Sequence, residues 1–133
     1  MSYLLDTSAL LAHYRQETGW ETVQGLFEEH DADIVIASPS LTEFARRLHD
    51  LGMDDAEIQE VLADYSLLFT EIVAVDASIA LAAYGVIRQT PDRLPLIAAL
   101  IAAVAQTDDT VLIHRDAHMK AIPAEIVNQH HLI

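Results

Sequence analysis

The sequence predicts one α/β domain in which a parallel sheet is covered on both faces by helices. Short, continuous apolar segments alternate with helical segments along the chain, which is typical of a buried parallel sheet. The chain has 133 residues, enough for a single substantial core. It contains only four Gly and four Pro and no repeat or low-complexity tract that would mark a linker. We therefore expect one domain over residues 1–133.

The first predicted elements follow from local patterns near the N-terminus. Tyr3–Leu5 is a short apolar run typical of a buried strand, and Asp6 directly after it is a favoured cap for a helix over Thr7–Tyr14. A second helical pattern covers Gly19–His30 and leads to an apolar strand over Ile34–Ala37.

Helical patterns dominate the middle of the chain. Ser40–Leu51 and Asp54–Tyr65 predict a helical hairpin that is broken at Gly52. The apolar stretch Phe69–Val75 should include a strand, and Asp76–Ile87 is helical again.

The last third of the chain predicts one long helix and two strands. Apolar residues at helical spacing begin at Leu94, and Pro95 suits the first turn of that helix. Thr110–Ile113 is a further strand, and the apolar piece near Ile126 and Val127 predicts an edge strand before a polar tail.

Composition excludes several classes of protein. Without Cys, the chain has no thiol nucleophile, no Cys-ligated zinc site and no disulfide, which is compatible with a reducing cytoplasm. The N-terminus lacks a basic region before an apolar stretch, and no apolar run approaches the roughly 18 residues of a membrane span. We expect an untargeted, cytoplasmic protein that does not interact with membranes.

The charge is strongly acidic, with 7 basic and 21 acidic residues and a formal net charge of −14. Such a charge repels nucleic acid at long range, so any contact with RNA must be local. Several basic residues lie within a few positions of the acids discussed next. This proximity is compatible both with phosphate binding and with basic residues scattered over an acidic surface.

Three acids fall where a parallel sheet collects its ligands. Asp6 ends the first strand, Glu43 lies in the opening turn of the helix after the second, and Asp116 follows the strand before it almost directly. Ligands of open parallel sheets bind beyond the carboxyl ends of the strands. Carboxylates suit Mg²⁺ or Mn²⁺, which can activate water and stabilise a phosphodiester displacement. The joint placement predicts a metal-dependent site.

Each acid also has a purely structural interpretation. Asp6 can cap the following helix, and Asp116 can hold a turn. The run from Ser40 to Glu43 fits a capping box in which Glu43 reaches back to the Ser40 amide. Three separate caps explain their placement at one end of one sheet less well than a shared site does.

The sequence resembles the PIN-domain family, and more closely its VapC-type toxins. Four short stretches carry the likeness and span nearly the whole chain in the expected order: Tyr3–Leu10, Ser38–Glu43, Arg93–Ala103 and Leu112–Asp116. The resemblance implies a three-layer α/β/α sandwich on a mostly parallel sheet of about five strands.

The resemblance also implies a function. The chain would be the toxin of a type II toxin–antitoxin system, an endoribonuclease that uses Mg²⁺ or Mn²⁺ to cleave RNA phosphodiester bonds. The implied catalytic and metal-binding positions are Asp6, Glu43, residue 98 and Asp116. A cognate antitoxin, an RNA substrate and a second copy of the chain would be its partners.

The departure from the family pattern is Ala98. The pattern reads Leu-Pro-x-x-Asp-Ala-x-Ile-Ala-Ala, and the stretch from Leu94 to Ala103 matches it except at this position. A carboxylate in the first turn of a helix would meet the positive end of the macrodipole, whereas alanine offers a methyl group. A small apolar residue also suits simple packing here. The intact motif around Ala98 favours a recent or deliberate Asp-to-Ala change. Because the carboxylate is missing, we expect little or no RNA cleavage.

A PIN scaffold that binds protein or RNA without cutting stays open as an alternative, with Ala98 in its favour. A signalling receiver is disfavoured because the only lysine, Lys120, is poorly placed, and Ser8 breaks the Asp-x-Asp of a haloacid-type phosphohydrolase. His114 and His118 are a weak zinc signal without a third ligand. We interpret them as surface residues or donors near RNA.

Overall fold

The computed structural model describes residues 1–133 and contains a five-stranded sheet flanked by helices. The strands are β1 (Ser2–Leu5), β2 (Asp33–Ala37), β3 (Glu71–Val73), β4 (Val111–His114) and β5 (Gln129–His131). Their order across the sheet is β3-β2-β1-β4-β5, and every neighbouring pair is parallel. The predicted α/β class with a mostly parallel sheet of about five strands is confirmed.

Seven helices connect and cover the strands. They are α1 (Thr7–Arg15), α2 (Trp20–Glu28), α3 (Ser38–Asp50), α4 (Asp55–Ser66), α5 (Ala77–Gln89), α6 (Leu96–Asp108) and α7 (Ala117–Lys120). None has the length and apolar character that a membrane span would need. Most of the predicted helix bounds differ from the observed ones by one or two residues. Among the helices, only the four-residue α7 was not predicted.

The last strand is not where the sequence predicts it. The apolar piece at Ile126 and Val127 forms no strand, and β5 consists of the polar residues that follow, with Ile113 opposite His130. Val127 is instead buried in the core. An edge strand needs only backbone pairing on one side, so the apolar pattern that marks a central strand is not required there.

The core lies on both faces of the sheet. Adjacent residues in a strand point to opposite faces. Leu4 accordingly packs in the cluster that contains α5 and α6, whereas Leu5 packs with Ala9 of α1 and Val23 of α2. Covering both faces explains why β1 reads as a continuous apolar run.

The strand order places a crevice beside β1. The chain runs outward from β1 through β2 to β3, and then returns to add β4 and β5 on the other side. The direction therefore reverses between β1 and β4, where open parallel sheets bind their ligands. The Asp6 N–H donates to the Ile113 carbonyl at 3.1 Å across this point.

Candidate active site

A cleft of about 860 Å³ opens at the carboxyl edge of the sheet. Its walls include all four positions that the sequence singles out: Asp6, Glu43, Ala98 and Asp116. They come from the end of β1, from α3, from the first turn of α6 and from the loop after β4. The fold thus brings together residues that are more than 100 positions apart in the chain.

Asp6 is the most buried of the acids, with 3% of its surface exposed. Its Oδ1 accepts from the Ser8 hydroxyl at 2.6 Å and from the Ala9 N–H at 2.9 Å, so the predicted helix cap is confirmed. Burial, with a smaller contribution from the carboxylates of Asp116 and Glu43, raises the pKa of Asp6 to about 7, although the bonds from Ser8 and Ala9 lower it. Capping and a role in the cleft are therefore compatible.

Glu43 does not form the predicted capping box. Helix α3 begins at Ser38, where Ala37 is the N-cap and gives no side-chain bond, so Glu43 lies beyond the opening turn. Its Oε1 instead accepts from the Thr7 hydroxyl at 2.6 Å, and Thr7 also lies 3.1 Å from the buried Ser40 hydroxyl. This contact joins α3 to the start of α1 and fixes the carboxylate beside Asp6.

Asp116 caps the short helix α7. Its Oδ1 accepts from the His118 N–H at 2.8 Å, and its own N–H donates to Nδ1 of His114 at 3.1 Å. The interpretation of His114 as a surface residue is wrong, because its side chain is fully buried. The signal was available in the sequence: His114 lies two residues after Leu112, on the same buried face of β4.

The two loops that carry Asp6 and Asp116 are joined by Ser8. Its hydroxyl donates to Asp6 and accepts from the Arg115 N–H at 2.8 Å. Across the cleft, each of the three carboxylates has one oxygen held by the protein, while the second oxygen forms no hydrogen bond within the chain. These second oxygens are available to a ligand.

The donor set suits a hard divalent cation, although it is not a closed cage. Nowhere in the chain do three His, Asp or Glu side chains converge closely enough to hold one ion together. Mg²⁺, however, keeps several waters and typically binds proteins through one or two carboxylates. A buried carboxyl whose charged form is disfavoured also gains from a neighbouring cation. Oxygen donors with free second oxygens therefore fit Mg²⁺ or Mn²⁺.

Ala98 contributes no donor. It is the third residue of α6, is 7% exposed and presents a methyl group to the cleft, and the first turn of α6 holds no acidic residue. Arg46 and Arg47 of α3 also line the cleft. The chain's ion pairs involve only Arg15, Arg115 and His49, so neither of these arginines is neutralised by one.

The model of the PIN domain matches residues 3–125, almost the full chain. The chain belongs to the PIN domain family. No curated protein matches the sequence at a significant level.

Solved structures agree with this PIN fold. VapBC2 from Rickettsia felis, bound to a promoter DNA fragment, is similar over 100% of both chains at 17% identity and a TM-score of 0.77. VapBC-1 from nontypeable Haemophilus influenzae is similar over 98% of both chains at 14% identity, with a TM-score of 0.74. VapC20 from Mycobacterium tuberculosis, described as a toxin that cleaves the sarcin-ricin loop, is 16% identical over 90% of this PIN domain and 93% of its own chain, with a TM-score of 0.69.

Proposed function

We propose that this PIN domain is the toxin of a type II toxin–antitoxin pair, with a site for Mg²⁺- or Mn²⁺-dependent cleavage of RNA that Ala98 leaves incomplete. The observation that carries the proposal is the cleft in which Asp6, Glu43 and Asp116 each present one free carboxylate oxygen. The similar structures of toxin–antitoxin complexes support the toxin assignment.

One or two of these acids at a time, together with bound waters, would hold the cation at the switch point of the sheet. A divalent ion there would polarise a phosphoryl oxygen and make a bound water a better nucleophile. Thr7 and Ser8 hold Glu43 and Asp6 in place through bonds of 2.6 Å, so the carboxylates are oriented before any ligand arrives. This pre-orientation is what an in-line displacement of a phosphodiester requires.

Arg46 and Arg47 would bind the phosphates that flank the cleaved bond. The net charge of −14 repels RNA at a distance, so attraction must be supplied close to the site. Both guanidinium groups are exposed at the wall of the cleft and free of ion pairs with carboxylates. Such groups contact phosphate without reading the base, so they position RNA rather than select it.

Ala98 accounts for an expected loss of activity. Loss of a residue that supports a metal ligand typically costs 10–100-fold in metal affinity or activity, and loss of a direct ligand should cost more. The position lies in the first turn of α6 and faces the same cleft as the acids. A carboxylate there would add a donor and lie at the positive end of the helix.

The test is restoration of the carboxylate. We expect Ala98→Asp to raise Mg²⁺-dependent RNA cleavage by more than about 100-fold over the unchanged chain. Ala98→Asn has nearly the same shape without the charge and should restore little. Ala77→Asp adds a carboxylate to the first turn of α5, outside the cleft, and should restore nothing. Equal cleavage by all four proteins would contradict the assignment of position 98.

Ala98 also favours a second candidate, a PIN scaffold that binds a protein or RNA without cutting. Binding survives the loss of a metal ligand, whereas cleavage does not. Growth arrest on expression of Ala98→Asp, relieved by a co-expressed antitoxin, would favour the nuclease. Tight partner binding without toxicity in either version would favour the scaffold.

The proposed toxin acts in the cytoplasm as a homodimer. Measurement of its molecular mass in solution tests whether two copies of the chain associate.

A further inference from the structure

A chain of hydrogen bonds leads from β5 to the backbone of Asp116. The Gln129 side-chain amide donates to the Ile122 carbonyl at 2.8 Å, and its oxygen lies 2.6 Å from Nε2 of His114. Nδ1 of His114 in turn accepts from the Asp116 N–H at 3.1 Å. The three bonds tie the edge strand, the segment after α7 and the loop after β4 to one residue.

The order of donors in this chain is fixed. A backbone N–H can only donate, so Nδ1 of His114 is the acceptor and carries no proton. The neutral ring then carries its proton on Nε2 and donates it to the Gln129 oxygen. The Gln129 amide nitrogen is thereby left to donate to Ile122, as observed. All three bonds agree with a single assignment.

The surroundings hold the ring in one position. His114 is 0% exposed, and the His131 ring of β5, opposite it in the strand pairing, lies 5.1 Å away between ring centres. A buried polar side chain is costly unless its hydrogen bonds are made. This side chain makes bonds at both ring nitrogens, so rotation would forfeit two of them.

We infer that His114 is a positioning residue for the candidate active site, which sets the direction of the Asp116 carboxylate by holding its backbone N–H. The Asp116 side chain also accepts from His118, so the residue is fixed at both backbone and side chain. Gln129 supports His114 and acts only through it. This inference rests on the proposed function, because it gives Asp116 the role of a metal-binding residue.

Two substitutions separate positioning from simple packing. The side-chain amide of Asn reaches the place of Nδ1, whereas that of Gln reaches the place of Nε2. His114→Asn can therefore keep the bond from Asp116 and lose Gln129, and His114→Gln can do the reverse. Each variant keeps one bond and loses one, so a purely structural role predicts similar stability and similar metal binding for the pair.

The experiment measures Mn²⁺ affinity by calorimetry in the Ala98→Asp protein and in that protein carrying each His114 substitution. We expect His114→Gln to bind Mn²⁺ about tenfold more weakly than His114→Asn, at comparable thermal stability. Val127→Ala removes buried volume from the core cluster that contains Ile122 without changing a residue of the hydrogen-bond chain, and it should lower stability while leaving Mn²⁺ affinity unchanged. Equal affinity for the Asn and Gln variants would overturn the inference.

A second readout needs no metal. Amide hydrogen exchange at Asp116 should be faster in His114→Gln than in His114→Asn, while exchange at the Asp6 amide, bonded to Ile113, should be alike in both. Failure of the Ala98→Asp protein to bind Mn²⁺ would overturn the proposed function. The contact between His114 and Asp116 would still be decided by the exchange rates, and equal rates at Asp116 would overturn it.

Discussion

Both the carboxyl and the amino edge of the central sheet carry several carboxylates beside a cavity, yet only one of these edges resembles a built site. At the carboxyl edge, Asp6 is buried, and Asp6, Glu43 and Asp116 each have an oxygen held by a protein hydroxyl or amide. The cleft there is about 860 Å³ and includes two arginines without ion pairs.

The amino edge has a smaller cavity of about 330 Å³. Its acids, Asp33, Glu71 and Asp108, are all exposed. The only side-chain hydrogen bond that any of these three acids makes is a long one, from the Ser2 hydroxyl to Asp33 at 3.4 Å. Buried Thr110 borders the same cavity, and its hydroxyl has no partner.

A count of acids therefore does not identify a site. Acids gather at the amino edge because strand ends and helix ends are polar, and water satisfies them there. At the carboxyl edge, burial and hydrogen bonds fix the carboxylates and also leave one oxygen of each free for a ligand, which helix capping alone does not require. Three measurements test this contrast between the edges.

The largest expected effect is the pH dependence that Asp6 gives to stability. Its pKa of about 7 in the folded chain exceeds 3.8, the value expected for an unfolded chain. The folded state therefore binds the extra proton between these values, and stability falls as pH rises through this window. At about 1.36 kcal/mol per unit, the loss is at most about 4 kcal/mol. Urea unfolding without divalent ions at pH 4 and pH 8 measures it.

Asp6→Asn is the reference for that measurement, because asparagine keeps a helix cap and does not titrate. The lowered pKa of buried His114 acts in the opposite direction, destabilising the fold as pH falls, but it is common to both proteins. Asp33→Asn repeats the change at the amino edge and should keep the parent's pH dependence. An Asp6→Asn protein as sensitive to pH as its parent would contradict the predicted contrast.

A smaller effect is expected on metal binding. In the Ala98→Asp protein, Asp116→Asn should weaken Mn²⁺ binding by at least 10-fold, about 1.4 kcal/mol, because a carboxylate donor is lost while the cap of α7 is kept. Asp108→Asn, at the amino edge, should leave the affinity unchanged. Calorimetric titration with Mn²⁺ measures the affinity of both variants. Equal losses of affinity would contradict the predicted contrast between the two edges.

The smallest effect is expected at the amino edge itself. Thr110→Val should stabilise the chain by up to about 1 kcal/mol, because it replaces a buried hydroxyl that has no partner with a methyl group. Thr90→Val is the matched control, since the buried Thr90 hydroxyl donates to the Val86 carbonyl at 2.8 Å, and it should destabilise by about 1 kcal/mol. If urea unfolding shows that Thr110→Val destabilises the chain, the prediction that this hydroxyl lacks a stabilising partner is wrong.

The sequence is sufficient for the fold class because buried parallel strands read as continuous apolar runs. It also predicts that Asp6 and Asp116 lie at the carboxyl edge of the sheet, since Asp6 follows β1 directly and Asp116 follows β4 after one residue. It fails for β5, whose pairing comes from the backbone and leaves no apolar pattern. The sequence does not predict the hydrogen-bond partner of Glu43, because Thr7 lies 36 residues away. The local sequence around Glu43 predicted a capping box instead.

The role of Ser8 has a consequence for synthesis on the ribosome. Its hydroxyl bridges Asp6 to the Arg115 amide, 107 residues later in the chain. The central strand β1 likewise cannot complete its pairing until β4, the fourth of the five strands, has been synthesised. For most of translation, the emerging chain therefore contains Asp6 but lacks the loop after β4 that completes the cleft. Under the proposed function, the cation site would stay incomplete until more than four-fifths of these 133 residues have been joined.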